Sequence, residues 1–185
     1  ALSSAASDVY KRQEMGEYTT MAAALPAVNM GEGPLVDCPL EVEGKRWQVT
    51  CIGVGNPHCV VFCDRVDGVD VEHVGPQFEH APYFPDRVNT EFIRVVNPST
   101  IKMRVWERGS GETWACGTGA CAVGYTCVTL GKAGKRGGFL KVEAKGGMLQ
   151  VRTGDGDAMT LKGPATTVYE GEIELPEELL EESLK

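Results

Sequence analysis

The segment that most restricts what this chain can fold into is Glu107-Arg108-Gly109-Ser110-Gly111-Glu112-Thr113-Trp114-Ala115-Cys116-Gly117-Thr118-Gly119-Ala120-Cys121. Before it, Thr100 to Glu107 alternates like a strand, with Ile101, Met103 and Val105 opposed to Lys102, Arg104 and Trp106. After it, Gly117 to Leu130 reads as the one long helix, low in side-chain bulk and ended by Gly131. Strand, glycine loop and helix in that order set the unpaired N–H groups of a helix start against Cys116. Such a setting is expected to lower a thiol's pKa and raise its thiolate fraction. It also offers a seat for a carboxylate or another small anion. A reactive thiol beside an anion seat, reached from an Arg-bearing loop, has the makings of an active site.

Elsewhere the pattern is mostly strands. Trp47 to Ile52, His58 to Cys63 and Thr90 to Val96 are predicted strands, as are Gly138 to Ala144, Met148 to Thr153, Ala158 to Lys162 and Thr166 to Leu175. A brief helix is expected over Val71 to Phe78, and Met21 to Ala27 is either a strand or a short helix. Gly154-Asp155-Gly156-Asp157 reads as a hairpin loop. Many strands around one central helix make an α+β chain.

The balance of charge excludes some partners. Seven acidic residues and one lysine between 170 and 185 account for six of the eight net negative charges. No basic face remains to hold nucleic acid, and no apolar run is long enough to span a membrane. The seven cysteines are odd in number and irregularly spaced, and most lie in apolar runs such as His58-Cys59-Val60-Val61-Phe62-Cys63. That usage fits a reducing compartment rather than a disulfide framework. Without a Cys-x-x-Cys pair, no structural zinc site is expected.

Three blocks then carry a resemblance. Gly55-Asn56-Pro57-His58, Phe84-Pro85-Asp86-Arg87-Val88-Asn89 and the stretch Glu107 to Cys121 resemble, in order and separation, signature blocks of the diaminopimelate epimerases. The tail Gly163-Pro164-Ala165 through Val168-Tyr169-Glu170-Gly171 is similar to that family's closing segment, so the likeness runs from about Val28 to Leu175. It implies a cofactor-free epimerase built of two pseudo-symmetric α/β halves, each bringing one cysteine at the head of a central helix. The reaction implied is the conversion of LL- to meso-diaminopimelate in lysine biosynthesis. One thiolate takes the α-proton and the other thiol returns a proton from the opposite face.

Carried over by position, the resemblance makes Cys116 the second catalytic cysteine. Gly117 and Thr118 would give backbone N–H groups to the α-carboxylate. Arg108 would bind the distal carboxylate and Glu107 would face the distal ammonium and influence thiol protonation. Asn56 and Asn89 would hydrogen-bond the distal end, and His58 would assist the other half's cysteine. The seven residues Asn56, Asn89, Glu107, Arg108, Cys116, Gly117 and Thr118 are expected on one concave face. No cofactor and no metal is implied.

The family's first cysteine, followed by a Gly-Asn-Gly block, has no counterpart before Val28. The chain is therefore expected to be the C-terminal half of the enzyme: a mixed, curved sheet around one central helix, inactive by itself. Its expected divisions are a leader over 1–25 that is disordered or non-native, the epimerase-type domain over 26–163, a closing strand over 164–175 that would return to the missing N-terminal half, and an acidic helical tail over 176–185. The expected partner is a small amino acid, with a homodimer in the full-length enzyme, in the cytoplasm or in a plastid of a photosynthetic eukaryote. The competing readings are another cofactor-independent racemase of the same fold, acting on proline for example, a Cys-His hydrolase, and a non-catalytic ligand-binding remnant. Paired Glu107 and Arg108 with Asn56 and Asn89 favour a substrate that has a second zwitterionic end.

Overall fold

His58-Cys59-Val60-Val61 and Phe92-Ile93 are apolar or neutral at consecutive positions, so strands made of them need cover on both faces. The computed structural model, which describes residues 10–154, 158–172 and 174, supplies that cover. Its strands are β1 (Tyr10–Glu14), β2 (Cys38–Val42), β3 (Lys45–Gly53), β4 (Pro57–Phe62), β5 (Asn89–Asn97), β6 (Thr100–Glu107), β7 (Gly111–Thr113), β8 (Phe139–Ala144), β9 (Gly147–Thr153) and β10 (Met159–Pro164). Helix α1 (Val71–Glu79) lies between β4 and β5, and helix α2 (Gly117–Thr129) between β7 and β8.

All the strands join one mixed sheet in the order β1-β10-β9-β8-β6-β5-β4-β3-β2, with β7 paired to β6 off that path. The β4–β5 and β6–β8 pairs are parallel, and each is bridged by one of the helices. Parallel neighbours need such a crossover. Successive residues of the central strands then face opposite cores. Val60, Ile93 and Met103 pack with Ala120, Cys121 and Val123 of α2, whereas Cys59, Val61 and Phe92 pack with Val71 and Phe78 of α1. Phe78 stands edge-on to both Trp47 and Phe92, at centroid distances of 5.3 and 5.7 Å. Removing such a ring, as in Phe92→Ala, costs about 3–5 kcal/mol.

Glycines set how near the helices come. A Cβ at Gly124 would lie 2.7 Å from Val151, and one at Gly75 would lie 2.4 Å from the Trp106 indole. Helix α2 ends as its sequence predicts. Gly131 takes φ +63, its N–H donates to the Val128 carbonyl, and the Lys132 N–H donates to that of Cys127.

Two expectations need correction. The leader is folded from residue 10 onward: β1 pairs antiparallel with β10, and Thr19 bridges to Gly53. Main-chain pairing to the open edge of β10 needs no apolar pattern, which is why the segment looked featureless. The closing strand is absent from residues 165–172, where Val168 and Tyr169 are 86% and 83% exposed. Among the described residues, no strand pairs with them. The hairpin tip at 155–157 and the tail over 176–185 fall outside the described residues. Among the described residues, no helix is long and apolar enough to cross a membrane.

Candidate active site

The loop Gly55–Asn56 delivers its residues into β4, and β4 lies parallel to β5 with His58 opposite Asn89. Period-two alternation puts His58 and Glu91 on the sheet face that α2 covers. There His58 Nδ1 meets Glu91 Oε1 at 2.7 Å, and His58 Nε2 meets Asn56 Oδ1 at 2.9 Å. His58 and Glu91 are 1% and 0% exposed. Helix α2 begins directly above. A Cβ on Gly119 would lie 2.6 Å from Glu91 Oε1, so only glycine lets the helix start sit on that carboxylate.

Cys116 is the N-cap of α2, in extended backbone, and its sulfur accepts the Gly119 N–H at 3.3 Å. The Thr118 hydroxyl lies 3.4 Å from the same sulfur. Among the described residues, the N–H groups of Gly117 and Thr118 have no acceptor and remain available as donors. One atom each of His58, Glu91 and Cys116 lie within 4.8 Å of one another.

The thiol is not acidified as its helix-start position predicts. Burial, then the Glu91 carboxylate, push it up to about 11, against the lowering by the Thr118 hydroxyl and the Gly119 N–H. Glu107 adds a smaller push in the same direction. Burial likewise raises Cys38 and Cys63 to about 11, and Cys121 and Cys127 to about 12. Cys116 is therefore not set apart as the most acidic thiol. The sequence showed the helix start but not the carboxylate beneath it.

A second group forms around the β6–β7 turn. The cavity nearest to it, about 510 Å³, is lined by Tyr18, Thr19, Gly55, Asn56, Asp86 and Arg108 among others. Arg108 Nη1 donates to the Asp86 carbonyl at 2.8 Å. Asn89 is not in that lining. It is 2% exposed, its Oδ1 accepts the Arg108 N–H at 2.9 Å, and its Nδ2 donates to the Pro57 carbonyl at 3.2 Å. It thus ties the Arg108 loop to the Asn56 loop instead of presenting its amide to the cavity. The Glu107 carboxylate accepts from the Thr113 hydroxyl across the β6–β7 pair. Asn56 and Arg108 therefore share one cavity, Asn89 braces it from beneath, and Cys116, Gly117 and Thr118 lie outside its lining, linked to it through Glu91, His58 and Asn56.

Two residues escaped the sequence analysis. Glu79, at the end of α1, accepts from Trp106 Nε1 at 2.6 Å, from the Gly109 N–H at 3.0 Å and from Arg87 Nη1 at 3.2 Å. It holds the residue next to Arg108. The other is Glu91. Its signal was present: a lone acid in the run Thr90-Glu91-Phe92-Ile93 and a lone histidine in His58-Cys59-Val60-Val61 are complementary ionisable groups inside apolar strands.

Comparison with known proteins adds a family. A model of the family described as diaminopimelate epimerase matches residues 50–168. A diaminopimelate epimerase of Acaryochloris marina is 47% identical over 85% of this chain and 56% of its own length. One from Leptospira biflexa is 38% identical over 88% of this chain and 57% of its own length. The chain spans little more than half the length of the curated relatives it matches. Two solved structures share the fold. A probable proline racemase of Agrobacterium radiobacter has a TM-score of 0.61 at 15% identity, covering 91% of this chain and 54% of its own. A hydroxyproline epimerase of Agrobacterium vitis has a TM-score of 0.59 at 13% identity, covering 84% and 50%.

Proposed function

Because the chain belongs to the diaminopimelate epimerase family, we propose that it carries the C-terminal half of a cofactor-independent amino-acid epimerase acting on diaminopimelate. The observation that supports this most is Cys116 at the head of α2, its sulfur held by the Gly119 N–H and two further N–H donors beside it. Inverting a stereocentre through a planar carbanion needs one proton donor and one acceptor on opposite faces. A thiol raised to about 11 is protonated at neutral pH, which suits Cys116 to donate. The Gly117 and Thr118 N–H groups receive the α-carboxylate, where negative charge grows as the carbanion forms.

The cavity with Asn56 and Arg108 takes the distal end, Arg108 as the fork-shaped donor to a carboxylate. A substrate like proline has no second charged end for it. Glu107 faces the distal ammonium. His58 is buried, so it acts as a positioning residue through Asn56, whose amide it holds, and Asn89 positions Arg108 in the same way. In this reading the opposite-face thiol would come from a first half that this chain does not span. Cyanobacterial relatives fit a cytoplasmic or plastid setting, and a homodimer of the full-length enzyme completes the proposal.

The test is α-proton exchange of diaminopimelate in deuterated water, with the 185-residue chain alone and with the complementary half of a curated relative added. We expect background exchange from the chain alone and enzymatic exchange from the mixture. Rapid exchange by the chain alone, or none by a folded mixture, would overturn the two-thiol reading.

A further inference from the structure

Three side chains from three elements meet on the α2 face: His58 of β4, Glu91 of β5 and Cys116 at the α2 head, with a nitrogen, an oxygen and a sulfur within 4.8 Å of one another. Glu91 is fully buried, and while Oε1 contacts His58, Oε2 has no hydrogen-bond partner among the described residues. A buried carboxylate oxygen with nothing opposite it is costly unless a positive group can come to it. We propose that this trio binds one divalent transition-metal ion of zinc(II) type, and that the bound ion blocks the Cys116 thiol. The inference is separate from the epimerase reading and holds whether or not Cys116 moves a proton.

The donor set supports a borderline-soft ion: imidazole and thiolate suit zinc(II), and a carboxylate completes a common ligand trio. Zinc–ligand bonds of roughly 2.0–2.3 Å put ligand atoms about 3.3–3.8 Å apart. His58 Nδ1 and Glu91 Oε1, now 2.7 Å apart, therefore have to separate slightly, while the Cys116 sulfur, within 4.8 Å of the others, needs at most a small inward shift. Charge balances as well. A thiolate, a carboxylate and a neutral imidazole together match a double positive charge, so the buried site gains no net charge. When the ion binds, two protons leave to solvent: the thiol proton of Cys116, and the one shared between His58 Nδ1 and Glu91 Oε1, so that Nδ1 and the carboxylate are free to ligate.

The surroundings are those of a metal site. With the ion on Nδ1, the His58 Nε2–H donates to Asn56 Oδ1, the outer contact that fixes a ligating histidine. The Gly119 N–H points at the Cys116 sulfur, as donors to a metal-bound thiolate do. Cys116 is 7% exposed, so the trio is reached from that side, and a solvent water would be the fourth ligand of a tetrahedral ion.

Cobalt(II) serves as the spectroscopic probe. One equivalent added to the reduced full chain should produce a thiolate-to-metal band in the near ultraviolet and tetrahedral bands in the visible, both displaced by zinc(II). Cys116→Ser should lose the near-ultraviolet band. Glu91→Gln removes a ligand, so zinc(II) affinity should fall by more than the roughly 10–100-fold typical of outer partners. A band that survives in Cys116→Ser overturns the proposal. If either variant fails to fold, the unmodified chain decides: saturating zinc(II) should slow alkylation of Cys116 at least 10-fold in peptide mapping and leave Cys38 and Cys63 unchanged. Equal slowing of all three, or of none, overturns the site. A cobalt band from this chain together with no proton exchange by the metal-free, folded mixture of the two halves would retain this inference and remove the epimerase reading, and the converse result would do the reverse.

Discussion

Among the described residues two carboxylates are buried, and the two faces of the sheet treat them differently. Glu79, on the α1 side, is met by an indole N–H, a backbone N–H and a guanidinium. Burial alone would raise its pKa, but the Trp106 and Gly109 donors and nearby cations outweigh that and lower it. Glu91, on the α2 side, has His58 at one oxygen and no partner at the other. A fully satisfied buried carboxylate is a structural tie, whereas a half-satisfied one keeps capacity for a proton, a cation or a ligand. The α1 face therefore holds the loop in place, and the α2 face keeps an unpartnered carboxylate oxygen close to Cys116.

The largest expected effect lies on the α2 side. With a complementary half present, Cys116→Ser should lower diaminopimelate proton exchange by about 10²–10⁴-fold while leaving the urea midpoint nearly unchanged. Retained exchange would place the chemistry elsewhere. On the α1 side stability is the readout. Glu79→Ala strands the Trp106 and Gly109 donors and should cost about 3 kcal/mol in urea unfolding, while Glu91→Gln should cost about 1 kcal/mol. Equal costs would erase the contrast between the faces.

A smaller effect is expected where α2 meets Glu91. Gly119→Ala places a methyl 2.6 Å from Glu91 Oε1 and should cost about 1–3 kcal/mol. Gly131→Ala, at φ +63 in open space, should cost about 1 kcal/mol. If Gly119→Ala were the milder of the two, the helix start would not be seated on the carboxylate.

The smallest effect is in pH dependence. The folded-state pKa of Glu79 is depressed, so its contribution is present above the unfolded value of about 4.3 and fades as pH falls through the lower folded value. Below about pH 4 the parent chain should lose stability more steeply than Glu79→Ala. Parallel acid limbs would show that Glu79 is not held ionised.

Much of this could be read in the chain before any coordinates. The strand–loop–helix order around Cys116, the alternation of β6 and the glycine end of α2 are local signals, and each formed within a residue or two of its expected place. The edge strand β1 was invisible because it is held by main-chain bonds to β10, without an apolar pattern of its own. The site was legible as a set of residues but not as a set of roles. Asn89 has the residue type of a ligand contact, yet its amide is spent on Arg108 and Pro57. The thiol is raised first by burial and then by Glu91, and both arise only after β5 and α2 have packed.

The pairing of β1 with β10 joins residues 10–14 to residues 160–164, across almost the whole described chain. Closing so long a loop costs entropy before any contact is returned, so this pair forms late in folding and opens first from the native state. Strands β4 and β5, covered by cores on both faces, should hold their amide hydrogens longest. In hydrogen exchange the backbone N–H of Val60 and Phe92 would then report global unfolding, and that of Gln13, opposite Leu161 in β10, only the peeling of an edge.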